Sequence, residues 1–332
     1  MRKEFINYFR NPKTGNTFVL KNEVIEGDRI KAGILFDEKS GRECPVVNYI
    51  PRFVEPHNYA DSFGLEWNTH FDTQYDYKSK HSISQERFEK ETKWGSDLTG
   101  QLILEAGCGS GRFTAYAADT GATVLSFDYS NAVEANYKSN GQRENICISQ
   151  ANIFDMPFEE NSFDKIYCIG VIQHTPDPEK ALKTLVRYLK PGGSIVTDIY
   201  LKSFITCVVS PKYIVRAVTR HMNPAKLYKL CVKYVNLMWP LARLISRIPA
   251  IGKSLNWLML VADYSRLLPD ADDATLKEWA YLDTFDMLSP KYDIPATLKT
   301  YKRWHEEAGL VDIDVHYGYN GIEGRAKKRV TE

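Results

Sequence analysis

Leu102-Ile103-Leu104-Glu105-Ala106-Gly107-Cys108-Gly109-Ser110-Gly111-Arg112 decides the fold of this 332-residue chain. The apolar run predicts a buried strand of a parallel sheet, and the three glycines at alternate positions predict the sharp turn that leaves it. Glycine tolerates positive φ and has no Cβ, so the backbone N–H groups of such a turn can close on a ligand. A side chain at Gly109 is expected to enter the space that ligand needs. Helical spacing resumes over residues 113–119, which makes the turn a helix entrance. A second strand is predicted over Ala122-Thr123-Val124-Leu125-Ser126-Phe127-Asp128, ending in an acid seventeen positions after Gly111. In a doubly wound fold the carboxylate that takes a ribose hydroxyl pair stands at about this distance.

Dinucleotide and nucleoside folds share these features, and the turn separates them. Thr114 stands where G-x-G-x-x-G has its last glycine, and Glu105 precedes the first. In this E-x-G-x-G-x-G form the chain resembles class I S-adenosylmethionine-dependent methyltransferases. A sulfonium nucleoside brings no pyrophosphate to the helix terminus, so the phosphate-cradling spacing is not required. The resemblance continues at Ser149-Gln150-Ala151-Asn152-Ile153-Phe154-Asp155-Met156-Pro157-Phe158, similar to that family's third-strand end. Residues 163–174 resemble its fourth strand and site loop, and Pro191-Gly192-Gly193-Ser194-Ile195-Val196-Thr197-Asp198 its turn into the fifth. The resemblance implies an α/β, Rossmann-like doubly wound sheet of seven strands, with S-adenosylmethionine as cofactor and S-adenosylhomocysteine as product. It also implies cofactor contacts from Glu105, Gly107, Gly109, Gly111, Asp128, Tyr129, Asn152, Ile153 and Gly170. Glu105 would accept from the methionine ammonium, directly or through water. Asn152 stands where the family has an Asp that receives the adenine amino group, and its amide oxygen can also accept.

The balance of 43 basic against 42 acidic residues and a hydrophobic content of 43% describe an ordinary globular protein, with one large core and a smaller second module. No run approaches the roughly twenty apolar residues of a membrane span, and Met-Arg-Lys-Glu lacks a signal-peptide core. A cytoplasmic protein is expected, with a peripheral position at the inner membrane face as a further expectation. The six cysteines, at 44, 108, 147, 168, 207 and 231, stand singly, which favours buried, reduced thiols and no metal site.

Five segments are expected. Residues 1–56 carry short strand patterns in an order similar to the small zinc-ribbon family that activates methyltransferases and is often fused ahead of them. Asn11-Pro12-Lys13-Thr14 and Asp37-Glu38-Lys39-Ser40 stand where that family has its two cysteine pairs. Asn11, Thr14, Asp37 and Ser40 supply no thiolate, so no zinc is expected and apolar contacts must hold the module. Residues 57–97 form an aromatic linker and lid, with Arg87 available to the cofactor carboxylate. Residues 98–200 are the cofactor-binding core.

Residues 201–270 are read as an inserted helical cap. From 199 to 262 there is no acid, while Lys202, Lys212, Arg216, Arg220, Lys226, Lys229, Lys233, Arg243, Arg247 and Lys253 are all basic. Setting these ten aside leaves 33 basic against 42 acidic residues elsewhere. Such a cap suits an anionic acceptor or an anionic membrane surface. Residues 271–332 complete the core, with a polar, aromatic substrate loop at 283–293, a helix over 297–308, a sixth strand over 311–317 and an antiparallel seventh over 324–330. The basic run at 325–329 is too short to argue for nucleic acid.

Methyl transfer from a sulfonium needs no metal, and holding the nucleophile in line can supply roughly 7–11 kcal/mol of the barrier. A hydroxyl nucleophile must also lose a proton. His174, after the fourth strand, is the expected base, since an imidazole titrates near neutrality. Asp198 and Asp283 or Asp286 are the alternatives. The expected reaction is O-methylation of a polar or anionic small molecule, a glycan or a lipid-linked saccharide. A quinone or other membrane lipid is the alternative acceptor, and a non-catalytic, cofactor-binding activating partner is the alternative class.

Overall fold

The computed structural model describes residues 1–203, 210–249 and 251–330, with the backbone alone at Lys253. Four antiparallel strands, β1 (Val19–Glu26), β2 (Arg29–Phe36), β3 (Glu43–Val47) and β4 (Ile50–Pro51), pair in sequence order. Asn11, Thr14 and Ser40 converge on the Asp37 carboxylate. It accepts from Asn11 Nδ2 (2.7 Å), Ser40 Oγ (2.5 Å), Thr14 Oγ1 (3.1 Å) and also Asn16 Nδ2 (3.1 Å). A hydrogen-bonded knot therefore ties the turns at 11–14 and 37–40 together, in addition to the apolar contacts expected from sequence.

Burial alone would push the Asp37 carboxyl up, but the donors from Ser40, Asn11 and Asn16 outweigh it and hold it well below the usual carboxylate range. A depressed folded pKa adds stability that is present above the unfolded value, about 3.9, and is lost as pH falls through the folded one. Asp37→Asn should therefore lower the thermal midpoint at pH 7, and its deficit against wild type should shrink below about pH 4. A deficit of the same size at pH 7 and pH 3, by circular dichroism melting, would count against the charge of the knot.

The module docks on the nucleotide-fold sheet through backbone and rings. Phe53 N–H donates to the Gln150 carbonyl (2.9 Å) and Arg10 N–H to that of Pro157 (2.9 Å). Phe9 lies 5.0 Å from Phe53 and 5.8 Å from Phe158 between ring centres. Phe5, Phe9, Phe18 and Leu35 thus belong to the same buried cluster as Leu104, Phe127 and Phe163.

Helices α1 (Asp61–Thr69), α2 (Asp76–Ser79) and α3 (Ile83–Thr92) follow. The core then alternates β5 (Leu102–Ala106), α4 (Arg112–Asp119), β6 (Thr123–Asp128), α5 (Val133–Asn140), β7 (Ile146–Gln150), β8 (Phe163–Cys168), α6 (Pro178–Tyr188) and β9 (Leu189–Ile199). Its closing elements are α11 (Leu298–Glu307), β10 (Leu310–Gly318) and β11 (Gly321–Lys328), reached after four cap helices. The seven strands order as β10-β11-β9-β8-β5-β6-β7, parallel from β9 to β7, with β11 antiparallel to both neighbours. This is the Rossmann-like, seven-stranded α/β sheet expected. The order in which strands are added reverses between β5 and β8, the switch point where such sheets bind ligands.

The cap helices are α7 (Pro211–Thr219), α8 (Pro224–Ile245), α9 (Gly252–Leu258) and α10 (Asp273–Leu288). Asn223 and Asp272 cap α8 and α10 through their side-chain oxygens. Two expectations are corrected here. Residues 283–288 are the last turns of α10, not a loop. The cap does not end at 270, since Leu276, Trp279 and Ala280 of α10 share a buried cluster with Val235, Trp239 and Ala242 of α8. The return to the sheet comes at Ala296, whose N–H donates to the Tyr200 carbonyl (3.0 Å). Five of the cysteines are buried and unpaired, and Cys207 lies outside the described residues.

Candidate active site

β5 ends at Ala106 and the chain enters Gly107, Gly109 and Gly111 at φ values of 79°, 52° and 88°. Gly107 and Cys108 N–H both donate to the Phe127 carbonyl (2.8 and 3.0 Å), which ties the turn to the end of β6. A Cβ on Gly107 would stand 2.5 Å from both Val171 γ-carbons, and one on Gly111 would stand 2.6 Å from Asn140 Nδ2. At Gly109 a Cβ would meet the Trp67 indole of α1 at 3.2 Å, so this glycine makes room for the lid as well as for a ligand. Tyr75, from the aromatic linker, donates its hydroxyl to the Ser110 carbonyl (2.8 Å).

Asp128 closes the turn from below. Its Oδ2 accepts the Gly109 N–H (3.0 Å), and Oδ1 accepts Ser130 N–H (2.8 Å) and Oγ (2.7 Å). Burial raises its carboxyl pKa against the pull of these donors. A cleft with about 1440 Å³ of empty space, partly open to solvent, begins here at the carboxyl ends of the strands. Gly107, Gly109, Asp128, Tyr129, Ile153 and Gly170 line one part of it, and His174, Asp283 and Asp286 another. Phe63, Glu66 and Trp67 of α1 line it too.

Four predicted site residues stand elsewhere. Gly111 shapes the turn without lining the cleft. Glu105 is buried, and its Oε2 accepts from Ser126 Oγ (2.6 Å) and Thr114 Oγ1; burial pushes its carboxyl up to about 7. It joins β5, β6 and α4 and does not line the cleft. Asn152 spends its Oδ1 on the Phe154 N–H (3.0 Å), leaving Ile153 in the lining. Asp198 is fully buried, paired with Arg87 Nη2 (2.7 Å) and accepting the Gly170 N–H. It holds the site loop and cannot meet a substrate proton.

Arg87 is likewise committed, with Nε 2.6 Å from Glu91. The residue missed from sequence is Arg112, which lines the cleft and has no carboxylate partner among the described residues. Burial and the neighbouring Arg87 charge lower its pKa to about 10, leaving it cationic at neutral pH. A signal was present: a cation in the first turn of a helix opposes the helix dipole, so its place there calls for an anion. The glycine turn, Asp128 and Arg112 fit S-adenosylmethionine, offering backbone approach, a ribose acceptor and a partner for the methionine carboxylate.

His174 is buried between Phe63 and Tyr200, with ring centres 5.0 and 5.4 Å away. Its Nδ1 lies 3.1 Å from the Tyr292 carbonyl. A carbonyl can only accept, so Nδ1 carries a proton and, in the neutral ring, Nε2 is the nitrogen that can accept one.

Residues 104–197 match a family model described as a methyltransferase domain. The ubiquinone biosynthesis O-methyltransferase of Pasteurella multocida is 25% identical over 193 residues, covering 52% of this chain and 80% of that protein. That of Alkalilimnicola ehrlichii is 26% identical over 180 residues, covering 52% and 72%. Among solved structures, a putative S-adenosylmethionine-dependent methyltransferase of Methanococcus maripaludis aligns at a TM-score of 0.45 and 15% identity, over 84% of this chain and 99% of that one. Fold and matched domain define a Rossmann-like methyltransferase of the class I type. The chain is an S-adenosylmethionine-dependent methyltransferase.

Proposed function

We propose that this enzyme O-methylates a hydroxyl of a small polar molecule, a glycan or a lipid-linked saccharide, with His174 as the base. The observation that carries this reading is the His174 tautomer: Nδ1–H is engaged by Tyr292, and Nε2 is left for the cleft. S-adenosylmethionine, when bound, supplies a methyl carbon activated by its sulfonium. The chain would hold the acceptor oxygen in line with that carbon, and Nε2 would take the hydroxyl proton as the methyl passes from sulfur to oxygen, leaving the neutral thioether S-adenosylhomocysteine. Phe63 and Tyr200 orient the ring, and Arg112 and Asp128 would hold the cofactor. The O-methyltransferase names of the curated relatives support the same reaction class. Incubation of the protein with labelled cofactor and metabolite extracts should give a labelled, acid-stable methyl ether. Label found only on nitrogen or carbon would exclude this reading.

A second reading, a quinone or other membrane lipid as acceptor, is favoured by the outer face of α8. Leu230, Tyr234, Leu237, Leu241 and Leu244 follow one another at helical spacing and are exposed, Leu237 by 77%. Lys226, Lys229 and Lys233 stand exposed beside them. Three cations of the cap are engaged within it, Lys212 and Arg216 buried and Arg243 partly exposed: Lys212 pairs with Asp293, Arg216 donates to the Met287 and Pro290 carbonyls, and Arg243 pairs with Asp263. The Lys253 side chain lies outside the described residues. An apolar stripe edged by lysines suits the boundary of an anionic bilayer, and self-association through it about a two-fold axis would bring lysines together. No helix of the described residues is long and apolar enough to cross a membrane.

The protein should sediment with phosphatidylglycerol-containing vesicles and not with phosphatidylcholine alone. Leu237→Glu, or Lys226, Lys229 and Lys233 all to Glu, should release it with cofactor affinity unchanged. Salt should weaken the binding as the Debye length falls from about 10 Å at 0.1 M to 3 Å at 1 M. Vesicle binding indifferent to both variants, or a dimer that Leu237→Glu dissolves, would assign the face to something else.

A further inference from the structure

We propose that the acceptor carries a protonated amine beside the hydroxyl that is methylated, and that Glu66, Asp283 and Asp286 bind it. This rests on the reading of the cleft as the acceptor site of O-methylation. Asp283 and Asp286 stand three residues apart on α10, on the face that lines the cleft. Glu66 lines the same cleft from α1, is 0% exposed, and has no hydrogen-bond partner on either carboxylate oxygen. A buried carboxylate left unpaired is costly, and native structures retain one where a ligand or a proton completes it.

No lysine, arginine or histidine among the described residues lies within ion-pair distance of these three acids. Lys212, the buried cation whose charge reaches Asp283, is already paired with Asp293 at 2.5 Å. Burial and the neighbouring Asp286 charge push the Asp283 carboxyl up to about 6, the behaviour of acids that share a site without a counter-charge. The described residues contain no group of three His, Cys, Asp or Glu arranged to hold a metal ion. The cleft wall beside the acids is aromatic, with Tyr200, Tyr264 and Trp279. Carboxylates framed by aromatic faces suit an organic ammonium, which gains from both. An acceptor whose anionic group entered this part of the cleft would meet three acids, so the polar-or-anionic class expected from sequence narrows to a polar, amine-bearing one.

The test uses the full chain saturated with S-adenosylhomocysteine and two sets of hydroxyl probes that differ in charge: dopamine, catechol and protocatechuate, then glucosamine, glucose and glucuronate. Calorimetric titration should find the amine of each set bound about tenfold or more tighter than its neutral and anionic congeners. Glu66→Gln, Asp283→Asn and Asp286→Asn should each erode that preference while leaving catechol and glucose affinities as they are. Equal affinities within each set, a preference for the acids, or no measurable binding of either amine overturns the proposal. The two readings fail separately: methylation of catechol or glucose without an amine preference would sink this inference and leave hydroxyl methylation standing.

Discussion

Gly109→Val should abolish S-adenosylmethionine binding, raising Kd by more than about a hundredfold, or ~2.7 kcal/mol. Two costs combine at this position. The backbone sits at φ 52°, where a β-branched side chain is strained by roughly 1–3 kcal/mol. The added Cβ would also press on the Trp67 indole at 3.2 Å, so the valine methyls must displace either the lid or the ligand. Gly109 lies in the turn between β5 and α4, outside the buried clusters, so the far-ultraviolet spectrum should be retained. Titration calorimetry decides it: an affinity within threefold of wild type, or a nicotinamide dinucleotide bound more tightly than the methyl donor, would remove the turn from the cofactor site.

The second large effect is expected from His174→Gln, which should lower kcat by about 10²–10⁴-fold, the usual worth of a positioned base. S-adenosylhomocysteine affinity should not change, because His174 is absent from the turn that holds the nucleoside. A kcat within threefold of wild type would transfer the proton to another group. Asp286 is then the next candidate, since Asp198 is locked against Arg87.

The elements legible in the sequence are those whose signal is local. The apolar run before Gly107, the alternate glycines and the acid at Asp128 fix strand, turn and strand within thirty residues, and the structure forms each of them. The roles of Glu105 and Asp198 were not legible, because both depend on partners from elsewhere in the fold. The Arg87 that neutralises Asp198 is 111 positions away, and no local pattern announces it. The last turns of α10 read as a loop for a different reason. Leu276, Trp279, Ala280 and Phe285 have helical spacing, but the helix packs on α8 while Asp283 and Asp286 face the cleft, so the polar and apolar sides blur. In the N-terminal module the polar residues Asn11, Thr14, Asp37 and Ser40 were visible. That they meet on one carboxylate was not, since Asn16 and the backbone of Lys39 complete the knot.

Two consecutive residues of α1 line the cleft: Trp67 lies against the glycine turn, and Glu66 belongs, on the proposal above, to the acceptor's amine site. One rigid turn of helix therefore belongs to both binding equilibria. A cofactor that seats Trp67 also sets the position of Glu66, and the free energy spent in fixing the helix is spent only once. Linkage requires the effect to be reciprocal, so an acceptor that engages Glu66 tightens the cofactor by the same factor. On that reading the helix makes cofactor and acceptor thermodynamic effectors of each other, and heterotropic cooperativity between them is the expected result.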